Sequence, residues 1–417
     1  MIGRVSWTAI DQALLGGSSF AANLCLARWL APAEYGGYVA ASAMFWIITS
    51  LHGGLLTEPM MVFGSSRFRD RLSPYLAILA VLHWCISAMI SAGLACAGLA
   101  LMLWASPASG SSVLGYALAA PGILLLWLLR RAFYVQMVPR LAAGASAIYT
   151  VGMLTIMYAL YRSAALSSFT APLSAAGASG LAVVRIISWQ RFRLWSPWRG
   201  DFIKEVVDTH WRYGRWSVVT GILTAVPGSL YYLILPLFVG LNADGAMKAL
   251  MLLVMPAAQT YTALTFLLIP AFARMRQRRR ATSLLLKVLV VLCAGASIYA
   301  LLMDQFGRPL IELLYQGRYM QYGDIVWLVG LVPLPMAAIA TLGSVLRAYG
   351  RPDRVLWAYV ISTVVTCVFG VAAVATWGLL GAILGLLASY TTTMLVMAWW
   401  VLHTETGSEP QAATTVS

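Results

Sequence analysis

Twelve stretches of this sequence are long, apolar and nearly free of charge. Six lie in the first half, near 7–30, 35–63, 74–104, 113–134, 141–160 and 166–189. Six lie in the second, near 216–239, 246–273, 282–303, 324–346, 355–376 and 379–402. A bilayer's hydrocarbon is about 30 Å thick, and a helix needs about 20 apolar residues to cross it. Every stretch meets that length. One large soluble core would need a charged surface to cover it. Yet 61% of the 417 residues are apolar and only 10% are charged, against about 45–50% and 25% in soluble domains. The same balance excludes a disordered, collagen-like or disulfide-stapled chain.

The formal charge of +14 resembles a nucleic-acid signature until the charges are placed. They cluster between the stretches. With the N-terminus in the cytoplasm, 23 of the 28 Lys and Arg fall on the inside. The outside keeps Arg28, Arg162, Lys248, Arg308 and Arg318. Such asymmetry sets membrane orientation and calls for no nucleic-acid partner. It predicts that both termini of this multi-pass membrane protein lie in the cytoplasm. Cys25, Cys85, Cys96, Cys293 and Cys367 each lie inside an apolar stretch with no CxxC pair, and the four histidines are scattered. No structural disulfide, metal site or cofactor is expected. The first stretch holds Asp11, Gln12 and Asn23, too polar for a signal peptide's apolar region.

The expected organisation is a six-helix lobe over 1–195, a linker over 196–214, a second six-helix lobe over 215–403 and a disordered cytoplasmic tail over 404–417. In the linker, Phe202, Val206, Val207, His210 and Trp211 share one helical face, with Lys204, Glu205 and Asp208 opposite. That reads as a helix lying on the inner membrane surface; a partner-binding face is the alternative. The longest outside loop is 304–323.

The halves echo one another. Leu30-Ala31-Pro32-Ala33-Glu34-Tyr35-Gly36 corresponds to Gly240-Leu241-Asn242-Ala243-Asp244-Gly245. Pro59 precedes the basic cluster Arg67, Arg69 and Arg71, as Pro270 precedes the cluster from Arg274 to Arg280. Leu129-Arg130-Arg131-Ala132-Phe133 corresponds to Leu346-Arg347-Ala348-Tyr349. Six spans per half make the repeats parallel, which predicts two bundles related by a pseudo-two-fold axis along the membrane normal, with a cleft between them.

Residues 27–38, Ala-Arg-Trp-Leu-Ala-Pro-Ala-Glu-Tyr-Gly-Gly-Tyr, resemble the first-hairpin signature of bacterial polysaccharide (Wzx-type) flippases. Leu313-Leu314-Tyr315-Gln316-Gly317-Arg318-Tyr319 resembles the turn before their tenth span. Arg212-Tyr213-Gly214 and Pro270 fit as well. The resemblance spans nearly the whole chain. It implies the multidrug/oligosaccharidyl-lipid/polysaccharide exporter superfamily: all-α, twelve helices in two lobes, a MATE-like fold with alternating access. The lipid II flippases of that superfamily usually carry two more helices, which this sequence lacks.

Ionisable residues inside a membrane are functional candidates by default, with snorkelling to water as the plain alternative. If the halves align at Glu34 and Asp244, then Asp11 matches Gly221 and Arg28 matches Phe238; aligned at the prolines, Glu58 matches Ile269. The second half forms its lobe without these charges, so function is expected to concentrate in the first. Asp11 is read either as a coupling carboxylate or as a wet helix end. Glu58, before Pro59, is expected to be a buried carboxylate that binds a proton or pairs with an arginine. Arg28 holds an anionic head group or pairs with Glu34. Arg130, Arg131 and Arg347 sit at matching inner ends, where they gather a lipid pyrophosphate or simply set topology. Asn23, Tyr231, Tyr232, Gln259 and Tyr261 line a wet cleft or mediate helix packing. His52 and His83 read as packed.

The resemblance implies an undecaprenyl-pyrophosphate-linked oligosaccharide as substrate, membrane lipid as surroundings, and polysaccharide polymerase or glycosyltransferase machinery as partners. A cation-coupled exporter of drugs or metabolites is the alternative. A membrane polymerase or ligase would need a large outside loop bearing catalytic residues, which the sequence does not offer.

Overall fold

The computed structural model describes residues 2–104, 107–190, 200–275 and 278–403; the expected tail 404–417 and the start of the expected linker lie outside them. Every regular element among the described residues is helical. Nine helical segments there are long and apolar enough to cross a membrane, and a pair bent by 43° adds a tenth. The segment Pro352–Leu402 counts once in that tally. It turns over at Gly378, whose φ of 56° and ψ of −126° suit glycine. The helix Ile2–Trp29 is 28 residues long. Each of the twelve predicted stretches therefore falls on helix.

The chain packs as two compact units. The first holds Met1–Ala225 with Gly240–Gly245, and the second holds Val226–Val239 with Ala246 onward. In the first unit, α1 (Ile2–Trp29) is followed by α2 (Pro32–His52), a π-helical turn (Gly53–Thr57) and α3 (Glu58–Phe63). Then come α4 (Leu72–Trp104), α5 (Pro107–Val135), α6 (Pro139–Arg162), α7 (Thr170–Gln190) and α8 (Gly200–Ser229), which belongs to this unit through Ala225. Proline opens α2, α5 and α6, where its missing N–H costs nothing. Phe45, Tyr116, Ile123 and Leu124 centre one core cluster; Leu56, Met60, Phe68 and Tyr75 centre another. The start of α10 (Leu241–Ala273) also packs in this unit. Gly36 lies so close to the Leu241 carbonyl that any Cβ would overlap it.

The second unit contains α9 (Tyr231–Phe238), most of α10, α11 (Arg278–Tyr315), α12 (Val326–Leu331), α13 (Pro333–Ala348), α14 (Pro352–Val365) and α15 (Val371–Leu402). Its interior is held by hydroxyls. Tyr231 bonds Ser389 at 3.0 Å, and Ser389 bonds Thr366 at 2.7 Å.

Two local expectations are corrected. The outside loop 304–323 is helical through Tyr315, because α11 runs on without a break. Asp304, Arg308 and Glu312 recur every fourth residue, so they form a polar stripe on a helix that hydropathy alone mistakes for a loop. The linker is no separate surface helix either. α8 runs unbroken from Gly200 into the seventh span. Val206 and His210 are buried and Val207 and Trp211 exposed, so the packed stripe is Phe202, Val206 and His210 at four-residue spacing. Phe202 meets Phe68 edge-on at 5.8 Å, and Glu205 takes Arg67 at 2.9 Å and Arg71 at 3.5 Å.

Candidate functional site

Asp11 is the centre of the first unit's polar chemistry. It is 0% exposed and lies almost three turns into α1, not at a wet helix end. Arg130 donates from Nη2 to Oδ2 at 2.5 Å, Tyr134 donates to the same oxygen at 2.5 Å, and Ser146 donates to Oδ1 at 2.5 Å. Arg130 and Tyr134 share one face of α5 by their four-residue spacing, while Ser146 comes from α6. Three donors from α5 and α6 thus converge on one carboxylate, and Gln12 of α1 adds a longer bond to Oδ2 at 3.3 Å. Bonds of this kind to an ionised group are the strong ones. Arg130 is itself buried, at 6% exposed, so the two charges depend on one another.

The second cluster forms around the π-turn. Pro59 has no N–H to offer the carbonyl four residues back, which is that of Leu55. His210 supplies the missing donor: its Nδ1 meets the Leu55 oxygen at 2.8 Å, while its Nε2 meets the Tyr75 hydroxyl at 2.7 Å. α8 approaches closely enough that a Cβ on Gly214 would touch the Gly54 carbonyl. The π-turn is closed by the Glu58 N–H on the Gly53 carbonyl. Helical π-turns occur mostly as single turns and often at functional sites.

Glu58 is exposed, which corrects the expectation of a buried carboxylate. Ser217 of α8 donates to it. Arg131, also exposed, faces Glu58 and donates to the Thr57 hydroxyl at 3.3 Å. Arg131, Thr57, Glu58 and Ser217 therefore form a patch on the first unit with cationic, anionic and hydroxyl groups in reach of one another. Depth along a helix does not fix burial: Asp11, the shallower residue in sequence, is the enclosed one.

The remaining candidates are placed as follows. Asn23 is buried; its Nδ2 donates to the Ser19 carbonyl at 2.8 Å and its Oδ1 accepts from Tyr35 at 3.3 Å. It joins α1 to α2. Arg28 is half-buried in the last turn of α1, next to Trp29, which stacks on Tyr161 at 4.5 Å. Arg347 is exposed in the last turn of α13, in the second unit. Sequence reasoning misses Tyr134, Ser146 and Ser217, and reads His210 only as part of the linker's apolar face. Only Tyr134 leaves a signal, as the polar residue one turn beyond Arg130.

His210 makes a direct prediction. Alanine there leaves the half-buried Leu55 carbonyl without its side-chain donor, at a cost of about 1 kcal/mol. Thermal unfolding in one detergent should show a clear loss for His210→Ala and little for His403→Ala, an exposed residue at the end of α15. Equal losses would refute the capping role.

The described residues thus define an all-helical chain built for multiple membrane crossings, with an enclosed ion pair in one unit. That architecture is the fold of the MATE/MOP superfamily transporters. An inward-facing multidrug resistance MATE family transporter of the MOP superfamily shares it at a TM-score of 0.77 and 14% identity, over 96% of this chain and 97% of that one. The lipid II flippase MurJ, inward closed, shares it at 0.73 and 11%, over 96% and 88%. A MOP superfamily transporter from Pyrococcus furiosus shares it at 0.66 and 13%, over 96% and 95%. No protein-family profile and no curated protein matches the sequence.

Proposed function

We propose that the chain is a flippase or exporter that moves an undecaprenyl-pyrophosphate-linked oligosaccharide from the inner to the outer leaflet by alternating access. The product would feed exopolysaccharide, capsule or O-antigen synthesis, with polymerase and glycosyltransferase machinery as partners. The reading is carried by the fold held in common with MurJ over 96% of the chain; the hairpin signature at 27–38 supports the glycan-lipid class. Sugars and pyrophosphate do not cross hydrocarbon unaided. Arg131 offers a planar fork for phosphate oxygens beside the Thr57 and Ser217 hydroxyls. Arg28 offers a second cation at the outer end of α1, and Arg347 one more in the second unit. The Asp11–Arg130 pair changes strength if Arg130 is drawn toward substrate. The prenyl tail stays in lipid. An inside-negative potential favours anion export by about 2.3 kcal/mol per charge per 100 mV.

Deleting the protein should leave the lipid-linked unit on the inner leaflet; normal arrival outside would exclude this role. At matched protein levels, Glu58→Gln and Arg28→Ala should each lower polymer export about tenfold, equivalent to about 1.4 kcal/mol. Full export in both variants would remove the first unit's charges from the mechanism. The TM-score of 0.77 to a MATE transporter favours a second reading, a cation-coupled exporter. It predicts altered drug sensitivity with normal surface polysaccharide.

A further inference from the structure

The turn from α5 into α6 and the turn from α13 into α14 are built alike. In the first, the N–H groups of Gln136, Met137 and Val138 bond the carbonyls of Ala132, Tyr134 and Phe133 at 3.1, 3.0 and 2.9 Å. In the second, those of Tyr349, Gly350 and Arg351 bond Val345, Arg347 and Leu346 at 3.0, 3.1 and 2.9 Å. Pro139 and Pro352 open the helices that follow. Each turn needs one residue in the left-handed region, with φ 62° at Met137 and 70° at Gly350. Glycine reaches that region freely, whereas a residue with a Cβ is strained there. A Cβ on Gly350 would meet nothing within 4 Å, so backbone conformation, not space, is what suits glycine. The second unit therefore shows that this turn forms without a side chain at the left-handed position. The first unit carries a methionine there, a strain that its fold does not require.

The surroundings of Met137 indicate what the side chain serves. It is 59% exposed, so it fills no core. Val138 follows it, also exposed. Next comes Arg140, exposed, with its Cζ 5.8 Å from the ring centre of the exposed Trp7 of α1. Arg140 makes no ion pair among the described residues, and the chain has no Asp or Glu between Arg71 and Gly200. Asp11, the one acid of α1, is enclosed and committed to Arg130. The α13–α14 turn has the opposite chemistry. In place of Val138 and Arg140 it has Arg351 and Asp353, which pair with each other at 3.4 Å. One turn is polar and self-neutralised; the other presents apolar side chains and a cation with no acid to balance it.

A group that fits this surface carries an anionic oxygen next to hydrocarbon. Arginine's planar fork suits phosphate oxygens, tryptophan sits where headgroups meet acyl chains, and methionine packs adaptably against irregular apolar neighbours. We propose that the α5–α6 turn is a seat for one anionic phospholipid of the adjoining leaflet, its phosphate on Arg140 and its chains along Met137, Val138 and Trp7. The seat requires no assumption about what the protein transports.

The purified full-length chain is melted in one detergent with added phosphatidylglycerol, phosphatidylcholine or inorganic phosphate, and bound lipid is counted by native mass spectrometry. Phosphatidylglycerol should raise the melting temperature of the wild type more than phosphatidylcholine does. Arg140→Gln should lose that extra rise and one bound lipid. Arg351→Gln, in the matching turn, should lose neither. Met137→Gly relieves the left-handed strain, so in plain detergent it should melt no earlier than the wild type, yet it should lose most of the phosphatidylglycerol rise. An undiminished rise in Arg140→Gln, an equal loss in Arg351→Gln, or a rise of the same size from inorganic phosphate alone would overturn the proposal. So would early melting of Met137→Gly in plain detergent, because the methionine would then serve the fold. If Arg140→Gln fails to fold, Met137→Gly still decides.

Discussion

The substitution Asp11→Asn is expected to cost the protein about 3–5 kcal/mol, the penalty for stranding a buried charge after its partner is removed. Asp11 is fully enclosed and takes three hydrogen bonds of 2.5 Å. The replacement amide has one oxygen, so it can accept from Ser146 or from Tyr134, which bond different oxygens of Asp11, and it turns an NH2 or a neutral carbonyl toward Arg130. The guanidinium then lies buried without a counter-charge. Replacing both residues, Asp11→Asn with Arg130→Met, should recover most of the loss, since the double variant no longer buries a charge without its partner. Tyr134→Phe should cost less, about 1.5–3 kcal/mol for one bond to a charged group. Thermal unfolding of the wild type, both single variants and the double variant in one detergent forms a double-mutant cycle, with Tyr134→Phe as an internal scale. Strict additivity of the Asp11 and Arg130 changes would show that the two charges do not depend on each other.

The other large effect is expected at Gly36. Its Cα faces the Leu241 carbonyl with no space for a side chain, and Gly245 is similarly close to the Pro32 carbonyl. Both contacts involve backbone, which cannot swing aside as a flexible side chain would. Gly36→Ala should therefore force α2 away from the first turn of α10 and destabilise by about 1–3 kcal/mol; Gly36→Val should exceed that. Gly93, inside α4, has open space where a Cβ would go. Gly93→Ala should stabilise by about 0.5–1 kcal/mol, the usual gain of alanine over glycine in a helix. If Gly36→Ala unfolds no earlier than Gly93→Ala, the close approach has no energetic consequence.

The crossings are legible in the sequence because a bilayer sets a length, and apolar runs display that length directly. Asp11 and Arg130 are legible as charges in the wrong solvent. Their bond is not, because 119 positions separate them and sequence does not give rotation about a helix axis. Helices such as α4 are apolar nearly all round, so no stripe marks the face that turns inward. For the same reason Glu58 and Asp11 exchange places: sequence offers only their depth, whereas burial depends on which neighbour covers the side chain. His52 and His83 are buried with ring nitrogens 3.0 Å apart, yet they read only as packed because 31 positions separate them, and neither carries a sequence cue to the other. Pro59 does carry a cue, since a proline inside a helical run leaves a carbonyl wanting. What answers it, His210, lies in another helix.

The π-turn at Gly53–Thr57 has a consequence for how this chain tolerates insertions and deletions. Losing one residue there would still leave a continuous, apolar helix of crossing length, so nothing in hydropathy would forbid it. A π-turn holds one residue more than an α-turn, so the loss would convert it to a regular α-turn and leave the helix beyond in phase. Glu58 would stay on Ser217, and Arg67 and Arg71 on Glu205. The same deletion in the regular helix of α2 would rotate everything beyond by about 100°, so the π-turn is where the second span has slack.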